Sequence, residues 1–179
     1  MNITVYLSSK SDINPAFEAA VEAIGKGIGE MKARLVYGGS NAGQMHRLAV
    51  TAKEHGATVT GIIPEVFRNN SDPIVDEMIY TLDLSERKAR MIELGQVFVA
   101  LPGGIGTVDE VMSTLAVLTV NRMRGRKIIL VNVDGVFQKL YELLQQFVEI
   151  HLAAPEALAM VELVDTAEAA LEAIKNLNR

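Results

Sequence analysis

The stretch QVFVALPGGIGTVDEVMSTLAVL (96–118) joins an apolar run to a longer amphipathic segment through three closely spaced glycines. Residues 97–101 form a short run rich in valine, which predicts a strand buried on both faces of a sheet. A helix is predicted to follow at 107–121. A strand, a glycine loop and a helix in this order are typical of α/β domains with a parallel sheet.

The same alternation of short apolar runs and amphipathic segments continues along the whole chain. Strands are predicted at 3–8, 34–38, 58–63, 77–82, 97–101, 127–132 and 160–164. Helices are predicted at about 15–30, 43–55, 84–94, 107–121, 136–149 and 166–176. Short links between these elements imply parallel strands and right-handed crossovers. We therefore expect one Rossmann-like, doubly wound α/β domain spanning 1–179, with a mostly parallel sheet of about seven strands and helices on both faces.

Composition excludes several classes of function. The net charge of −5 argues against nucleic-acid binding, and the absence of cysteine excludes disulfides and thiolate chemistry. The three histidines, His46, His55 and His151, are too scattered for a recognisable metal site, so no metal is expected. The N-terminus does not look like a secretion signal, and no apolar run approaches membrane-spanning length. We expect a cytoplasmic protein without a membrane partner.

Ligands of doubly wound folds bind at the carboxyl ends of the strands, which directs attention to the loops at 8–11, 38–43, 83 onward and 102–107. The segment GGSNAGQM (38–45) has the outer glycine spacing of a phosphate-binding P-loop. It lacks the lysine and the serine or threonine that would contact phosphate and magnesium, which disfavours nucleoside triphosphate hydrolysis.

A second glycine-rich segment, GKGIGE (25–30), lacks the final glycine of a dinucleotide-binding GxGxxG motif. It lies late in a predicted helix instead of following a strand. We interpret it as loose helix packing and a frayed helix end.

The glycines at 103, 104 and 106 form the most specific feature of the chain. Without side chains they let backbone N–H groups approach an anion, and a helix beginning near Thr107 would add a positive dipole end. An alternative interpretation is that Thr107 and Glu110 form a T-x-x-E capping box, in which Glu110 bonds back to the backbone. Capping accounts for the glutamate but leaves the preceding Pro-Gly-Gly unexplained.

Two adjacent cations, Arg87 and Lys88, lie in the first turn of the helix predicted at 84–94. The helix dipole disfavours positive charge there, so a ligand is one reason for their position. Arg90 has a simpler explanation, because Glu86 stands four residues before it and predicts a surface ion pair. The basic run RMRGRK (122–127) precedes a strand and is interpreted as a solvated loop or a partner contact.

The pair RK (87–88) together with PGGIGTVDE (102–110) resembles the R-K…P-G-G-x-G-T-x-x-E signature of the LOG family, the cytokinin riboside 5′-monophosphate phosphoribohydrolases. Two further stretches are similar to segments of the family pattern: VYLSSKSDINPAF (5–17) and RLVYGGSNAGQM (34–45). The resemblance implies hydrolysis of the N-glycosidic bond of a nucleoside 5′-monophosphate, without a cofactor or a metal. The products would be the free base and ribose 5-phosphate.

By match to the family motif, Arg87 and Glu110 would be the catalytic pair. Arg87 would either orient Glu110 and keep it ionised or contact the substrate directly. The substrate-binding residues implied by the match are Ser9, Gly39, Lys88, Gly103, Gly104, Gly106 and Thr107. The resemblance also implies a homodimer formed through helices near this site.

Departures from the family pattern cluster around the ligand-facing loops and the expected base pocket, at Ser8, Ser40, Gln44, His46, Leu84 and, on the motif helix, Ala116–Val117. They leave the identity of the base open, and AMP or another purine monophosphate is a better expectation than a cytokinin. His46 is interpreted as a helix-surface residue. A second hypothesis is a binding protein, since the chain also resembles molybdenum-cofactor carriers, which keep glycine loops for a phosphorylated pterin without hydrolysing it.

Overall fold

A computed structural model describes residues 1–123 and 125–177 of the chain. Its single sheet has seven strands, all parallel, in the spatial order β4-β3-β2-β1-β5-β6-β7. The strands are β1 (Asn2–Tyr6), β2 (Arg34–Tyr37), β3 (Thr58–Pro64), β4 (Glu77–Thr81), β5 (Val97–Ala100), β6 (Lys127–Val131) and β7 (Val161–Val164). The predicted doubly wound α/β fold is confirmed.

Helices connect the strands and cover both faces of the sheet. They are α1 (Pro15–Glu30), α2 (Gly43–Glu54), α3 (Leu84–Leu94), α4 (Ile105–Val120), α5 (Gln138–Glu149), α6 (Pro155–Leu158) and α7 (Ala167–Leu177). Two 3₁₀ turns, Glu65–Asn70 and Val133–Gly135, lie in the connections. The short α6 was not predicted, and Arg124 of the basic run lies outside the described residues.

The order of the strands creates a switch point between β1 and β5. The chain first adds β2, β3 and β4 on one side of β1, then returns to add β5, β6 and β7 on the other. Thr4 in β1 accordingly pairs with Val36 of β2 and with Phe98 of β5. Loops after β1 and β5 diverge at such a point and leave a crevice, where doubly wound proteins bind ligands.

Alternation along β1 divides the hydrophobic core into two layers. Ile3 and Val5 are fully buried in the layer that α1, α2 and α7 cover. Tyr6 faces the other layer, which includes residues of α3, α4 and α5. Both faces of the sheet are therefore buried, as the valine-rich strands predict. Among the described residues, no helix combines the length and the apolar character that crossing a membrane requires.

The glycines of GKGIGE (25–30) pack tightly, so the prediction of loose packing and a frayed end is wrong. Helix α1 continues to Glu30, and Gly25, Gly27 and Gly29 are all buried. A Cβ added at Gly27 would overlap the side chain of Leu171 in α7. The three glycines instead allow α1 to approach α2 and α7 closely.

Replacing Gly29 with alanine tests this packing. An added Cβ would lie 2.6 Å from the carbonyl oxygen of Ala52 in α2, where the backbone has no room to move. Alanine in a helix normally gains about 1 kcal/mol over glycine. Here overpacking should reverse the sign, so the free energy of unfolding in urea should fall by about 1–3 kcal/mol. Glu30→Ala, at an exposed neighbouring position, is the control; a Gly29→Ala protein as stable as this control would refute close packing.

Candidate active site

The loops after β1 and β5 touch at the switch point. A Cβ added at Gly103 would lie 3.2 Å from the backbone nitrogen of Ser8 and would overlap the hydroxyl of Thr107. Position 103 must therefore be glycine, because the neighbouring protein atoms leave no room for a side chain. The contact brings two of the predicted ligand-binding loops, 8–11 and 102–107, to the same edge of the sheet.

Helix α4 begins at Ile105, two residues earlier than predicted, with Gly104 as its N-cap. Thr107 is then the third residue of the helix and Glu110 the sixth, which is too deep to bond back to the cap. The T-x-x-E capping box is therefore wrong. Within the described part of the chain, no side chain caps this helix. Its first N–H groups remain available, together with the positive end of its dipole, to an anion.

Gly104 and Gly106 border open space at this helix end. A Cβ added at either residue would meet no protein atom within 4 Å, and neither residue has a positive φ. Both glycines are exposed, and Ile105 between them is 91% exposed. Neither the backbone conformation nor the protein packing therefore requires glycine at these two positions. A close-lying ligand would require it, because a methyl group would occupy the space that an anion needs.

Glu110 faces into the gap between α3 and α4 and pairs with Arg87. The Nη2 atom of Arg87 donates to Oε1 of Glu110 at 2.7 Å, and the two side chains are only 16% and 4% exposed. Burial raises the pKa of Glu110 from 4.5 to about 7, and the positive charge of Arg87 offsets only part of that shift. A pair of this kind holds a carboxyl group that both gains and loses a proton near neutral pH.

Arg87 has donor capacity left over. Its Nε atom is buried and finds no hydrogen-bond partner among the described residues. A Cβ added at Gly38 would lie 3.4 Å from Nη1, so the guanidinium also lies beside the glycine loop that follows β2. A buried donor without a partner is costly, and a ligand oxygen is one way to satisfy it.

The start of α3 is fixed by its own side chains. Asp83 is the N-cap and accepts a hydrogen bond from the backbone of Glu86, whose carboxylate in turn accepts from the backbone of Leu82. Glu86 is therefore part of a capping box. The predicted ion pair with Arg90 is wrong, because Arg90 pairs with Glu93 instead. This box sets where the first turn of α3, with Arg87, begins.

Lys88 is held by a second ion pair between α3 and α4. Its Nζ atom lies 2.8 and 2.7 Å from the two carboxylate oxygens of Asp109. Lys88 and Asp109 are the residues next to Arg87 and Glu110, so the R-K and D-E dipeptides face each other. The structure thus brings the three charged residues of the motif together with Asp109.

Below Glu110, a hydrogen-bonded chain links α4 to the centre of the sheet. The hydroxyl of Thr114 donates to the carbonyl oxygen of Glu110, and the hydroxyl of Tyr6 lies 2.8 Å from that of Thr114. Burial raises the pKa of Tyr6, so its hydroxyl stays protonated. Tyr6 was not among the residues predicted from the sequence. The only signal was alternation along β1, which puts Tyr6 on the face that α3 and α4 cover.

The remaining predicted residues flank this group. Ser9 is exposed, and a Cβ added at Gly43 would overlap its carbonyl oxygen, so the loop after β1 rests on the start of α2. Gly39 is buried with a φ of +70°, and a Cβ there would lie 3.0 Å from the backbone nitrogen of Ile62. Gly39 therefore has a structural role in turning the loop against β3.

A buried acid that the sequence analysis missed lies beyond Gly39. The side chain of Asp72 is fully buried, and one of its oxygens accepts from the hydroxyl of Tyr37 and contacts Nδ1 of His46, both at 2.9 Å. His46 is half-exposed, so its description as a surface residue is incomplete. The backbone of Asp72 also donates to the carbonyl oxygen of Gly39. Asp72 thereby ties the β3–β4 connection to the glycine loop.

Comparison with known proteins identifies the family. Residues 45–174 match the family model described as "Possible lysine decarboxylase". That range contains the R-K pair, the Pro-Gly-Gly loop and Glu110. The chain belongs to the LOG family.

Relatives of this LOG-family chain include two proteins named as phosphoribohydrolases. It is 30% identical over 178 residues to the cytokinin riboside 5′-monophosphate phosphoribohydrolase of Rhodococcoides fascians, covering 98% of this chain and 89% of that protein. It is 33% identical over 149 residues to a probable enzyme of the same name from Oryza sativa subsp. japonica. That match covers 82% of this chain and 64% of the rice protein.

Solved structures similar to this LOG-family chain include proteins described as binding or carrying molybdenum cofactor. The molybdenum cofactor binding protein of Rippkaea orientalis has a TM-score of 0.75 at 25% identity, covering 99% of this chain and 97% of the other. The molybdenum cofactor carrier protein of Chlamydomonas reinhardtii has a TM-score of 0.77 at 24% identity, with the same coverage. The second likeness shows the fold alone.

The raised pKa of Glu110 predicts that Glu110→Gln stabilises the protein at alkaline pH. The folded state binds this proton more tightly than the unfolded state, so wild-type stability falls as pH rises from about 4.5 through about 7. Glutamine is neutral and still accepts from Arg87. The free energy of unfolding at pH 8 should therefore exceed that of wild type by roughly 1–3 kcal/mol.

This stability difference should vanish below pH 5, where Glu110 is protonated in wild type. Urea unfolding at both pH values measures it. Glu93→Gln, which changes an exposed glutamate on α3, is the control and should show no such pH dependence. A Glu110→Gln protein less stable than wild type at pH 8 would mean that the ion pair outweighs burial.

Gly106→Ala separates ligand space from fold requirements. The added methyl group meets no protein atom, so helix stability should rise by about 0.5–1 kcal/mol. Affinity for a nucleoside 5′-monophosphate should fall about tenfold or more, because the methyl group occupies the space before α4. Gly103→Ala is the matched variant and should lose stability, because it overlaps Thr107. Calorimetric titration with AMP that shows unchanged affinity in Gly106→Ala would exclude this helix end as the anion site.

Proposed function

We propose that the protein hydrolyses the N-glycosidic bond of a purine nucleoside 5′-monophosphate and releases the free base and ribose 5-phosphate. One observation carries the proposal: a buried carboxyl group, Glu110, is paired with Arg87 just behind an uncapped, glycine-lined helix end. The helix end supplies an anion-binding site, called the anion seat below, and Glu110 supplies an acid at a fixed distance from it. The curated names of the two relatives support the same reaction.

The anion seat is the first turn of α4, where Gly104, Gly106 and Thr107 present backbone N–H groups. From Gly106 to Glu110 the helix advances by about 6 Å, which suits the reach from a 5′-phosphate to the sugar carbon that carries the base. Binding the phosphate would use a remote part of the substrate to fix the ribose against Glu110. Under this proposal, Ser9 on the neighbouring loop and the unpartnered Nε of Arg87 would bind ribose or phosphate oxygens.

The chemical step needs Glu110 in its ionised form. As the bond from C1′ to the base breaks, positive charge develops on the ribose, and a carboxylate stabilises that charge. Water adds to C1′ and gives a proton to Glu110, while the base leaves with the bonding electrons and takes up a proton. The pKa of about 7 allows Glu110 to accept and return this proton near neutral pH. Arg87 orients the carboxylate and favours its charge.

The decarboxylase in the family description does not fit the residues of this site. Amino-acid decarboxylation with pyridoxal phosphate needs a lysine whose neutral amine forms a Schiff base. Lys88, the lysine of the R-K pair, is instead engaged by both carboxylate oxygens of Asp109.

A second candidate function is binding without hydrolysis, as in a carrier for molybdenum cofactor, which contains a phosphorylated pterin. The likeness to the Rippkaea orientalis protein over almost the whole of both chains favours it. An uncapped helix end with two exposed glycines would suit the phosphate of either ligand. The buried Arg87–Glu110 pair is the feature that a carrier does not need.

We also propose that the protein is a cytoplasmic homodimer formed through helices near the site. Val120 on the outer face of α4 is 79% exposed and Leu84 at the start of α3 is 52% exposed, and apolar surface of this kind favours association. The absence of cysteine suits a reducing compartment. Light scattering of the purified protein tests the dimer.

The decisive experiment measures release of base from a panel of purine and pyrimidine monophosphates, with AMP first. Wild type should release adenine from AMP, and Glu110→Gln should lower kcat by about 10²–10⁴-fold, the usual contribution of a general base. AMP binding should survive in this variant, because the anion seat is unchanged. Glu93→Gln is the control for loss of a glutamate and should keep full activity.

Two results would contradict the proposal. Equal turnover by wild type and Glu110→Gln would remove Glu110 from the chemistry. Tight binding of a monophosphate or of a phosphorylated pterin, without release of any base by wild type, would establish the carrier function instead.

A further inference from the structure

The two ion pairs between α3 and α4 differ in depth. Arg87 and Glu110 form the inner pair, with side chains 16% and 4% exposed. Lys88 and Asp109 form the outer pair, with side chains 21% and 55% exposed. The outer pair is therefore the more exposed of the two. It is also fully engaged, because both oxygens of Asp109 contact Nζ of Lys88.

The location of Lys88 explains why it needs this partner. It is the fifth residue of α3, near the helix end whose positive dipole disfavours a cation. Asp109 lies in the first half of α4, where a negative charge is favoured, and it also accepts from the hydroxyl of Ser113 at 3.3 Å. An anion supplied by the protein itself therefore satisfies Lys88. The resemblance to the family, in contrast, implies that Lys88 frames the ligand.

We propose that Lys88 and Asp109 are a positioning pair, which joins α3 to α4 and balances the charge beside Glu110, and that Lys88 does not bind the substrate phosphate. With this pair in place, the four neighbouring charges sum to zero when Glu110 is ionised. Removing one member leaves a net charge next to Glu110. The proposal rests on the proposed function only for its effect on catalysis, since the charge balance exists without substrate.

The charged and titratable groups around Glu110 define the expected signs. Arg87 and Lys88 face it from α3, Asp109 adjoins it on α4, and Tyr6 faces it from β1. The negative charge of Asp109 raises the pKa of Glu110, and the positive charge of Lys88 lowers it. Lys88→Met should therefore raise the pKa of Glu110, and Asp109→Asn should lower it. The double variant should lie near wild type, because both charges are gone.

The test measures the titration of the Glu110 carboxyl carbon by ¹³C NMR in wild type, Lys88→Met, Asp109→Asn and the double variant. Glu110→Gln identifies the signal. Each single variant should shift the midpoint by roughly half a pH unit, in opposite directions. Shifts in the same direction, or a double variant that matches one single variant, would overturn the proposal. Because no substrate is present, a protein without hydrolase activity gives the same answer.

A binding measurement separates positioning from phosphate recognition. If Lys88 binds the phosphate, Lys88→Met loses affinity for AMP tenfold or more relative to adenosine, and removing Asp109 as well does not restore it. A positioning pair predicts that the ratio of AMP to adenosine affinity changes less than about threefold in every variant. Urea unfolding checks that each variant is folded, and Lys88→Gln replaces Lys88→Met if the latter is not. A tenfold loss specific to AMP in either Lys88 variant would reject the proposal.

Discussion

Glu110 is a carboxyl group that the fold keeps away from water, and the helices around it are arranged to satisfy it. Desolvation makes an ionised carboxylate unfavourable, so a cation and hydrogen bonds must compensate. Arg87 supplies the cation from α3, and the capping box of α3 fixes the turn from which Arg87 extends. Thr114 lies one turn further along the same face of α4, and its hydrogen bond with Tyr6 fastens this part of the helix to β1. Arg87 offsets only part of the effect of burial, which leaves Glu110 with a pKa near neutrality.

The order of the parallel strands brings the buried acid and the anion-binding helix end to the same edge of the sheet. β1 and β5 are neighbours in the sheet although some ninety residues separate them in sequence, so the loops that follow them share an edge. Helix α4 starts at this edge without a capping side chain and with glycines at its first positions. An anion seat and a partly compensated acid on one helix are a general means of holding a phosphorylated molecule by one end and acting on the other.

Strands, helices and the glycine loop could be predicted from the sequence because they depend on local patterns of apolar residues and glycine. The start of α4 could not, because T-x-x-E also matches a capping box, whereas the helix begins at Ile105 with Gly104 as its N-cap. The predicted ion pair between Arg90 and Glu86 was wrong for a similar reason. Spacing allowed Glu86, but Glu86 was already used in the cap of α3.

Long-range hydrogen bonds were the least predictable part of the molecule. Asp72 contacts Tyr37 and His46, which lie 35 and 26 residues before it in the sequence. No pattern in the neighbouring sequence indicates that Asp72 is buried. Tyr37 and His46 use the same carboxylate oxygen, so replacing Asp72 alone would leave the buried Tyr37 hydroxyl without its acceptor. A change at position 72 among relatives should therefore be accompanied by changes at positions 37 and 46. This pairing would be visible as covariation in a large set of homologues.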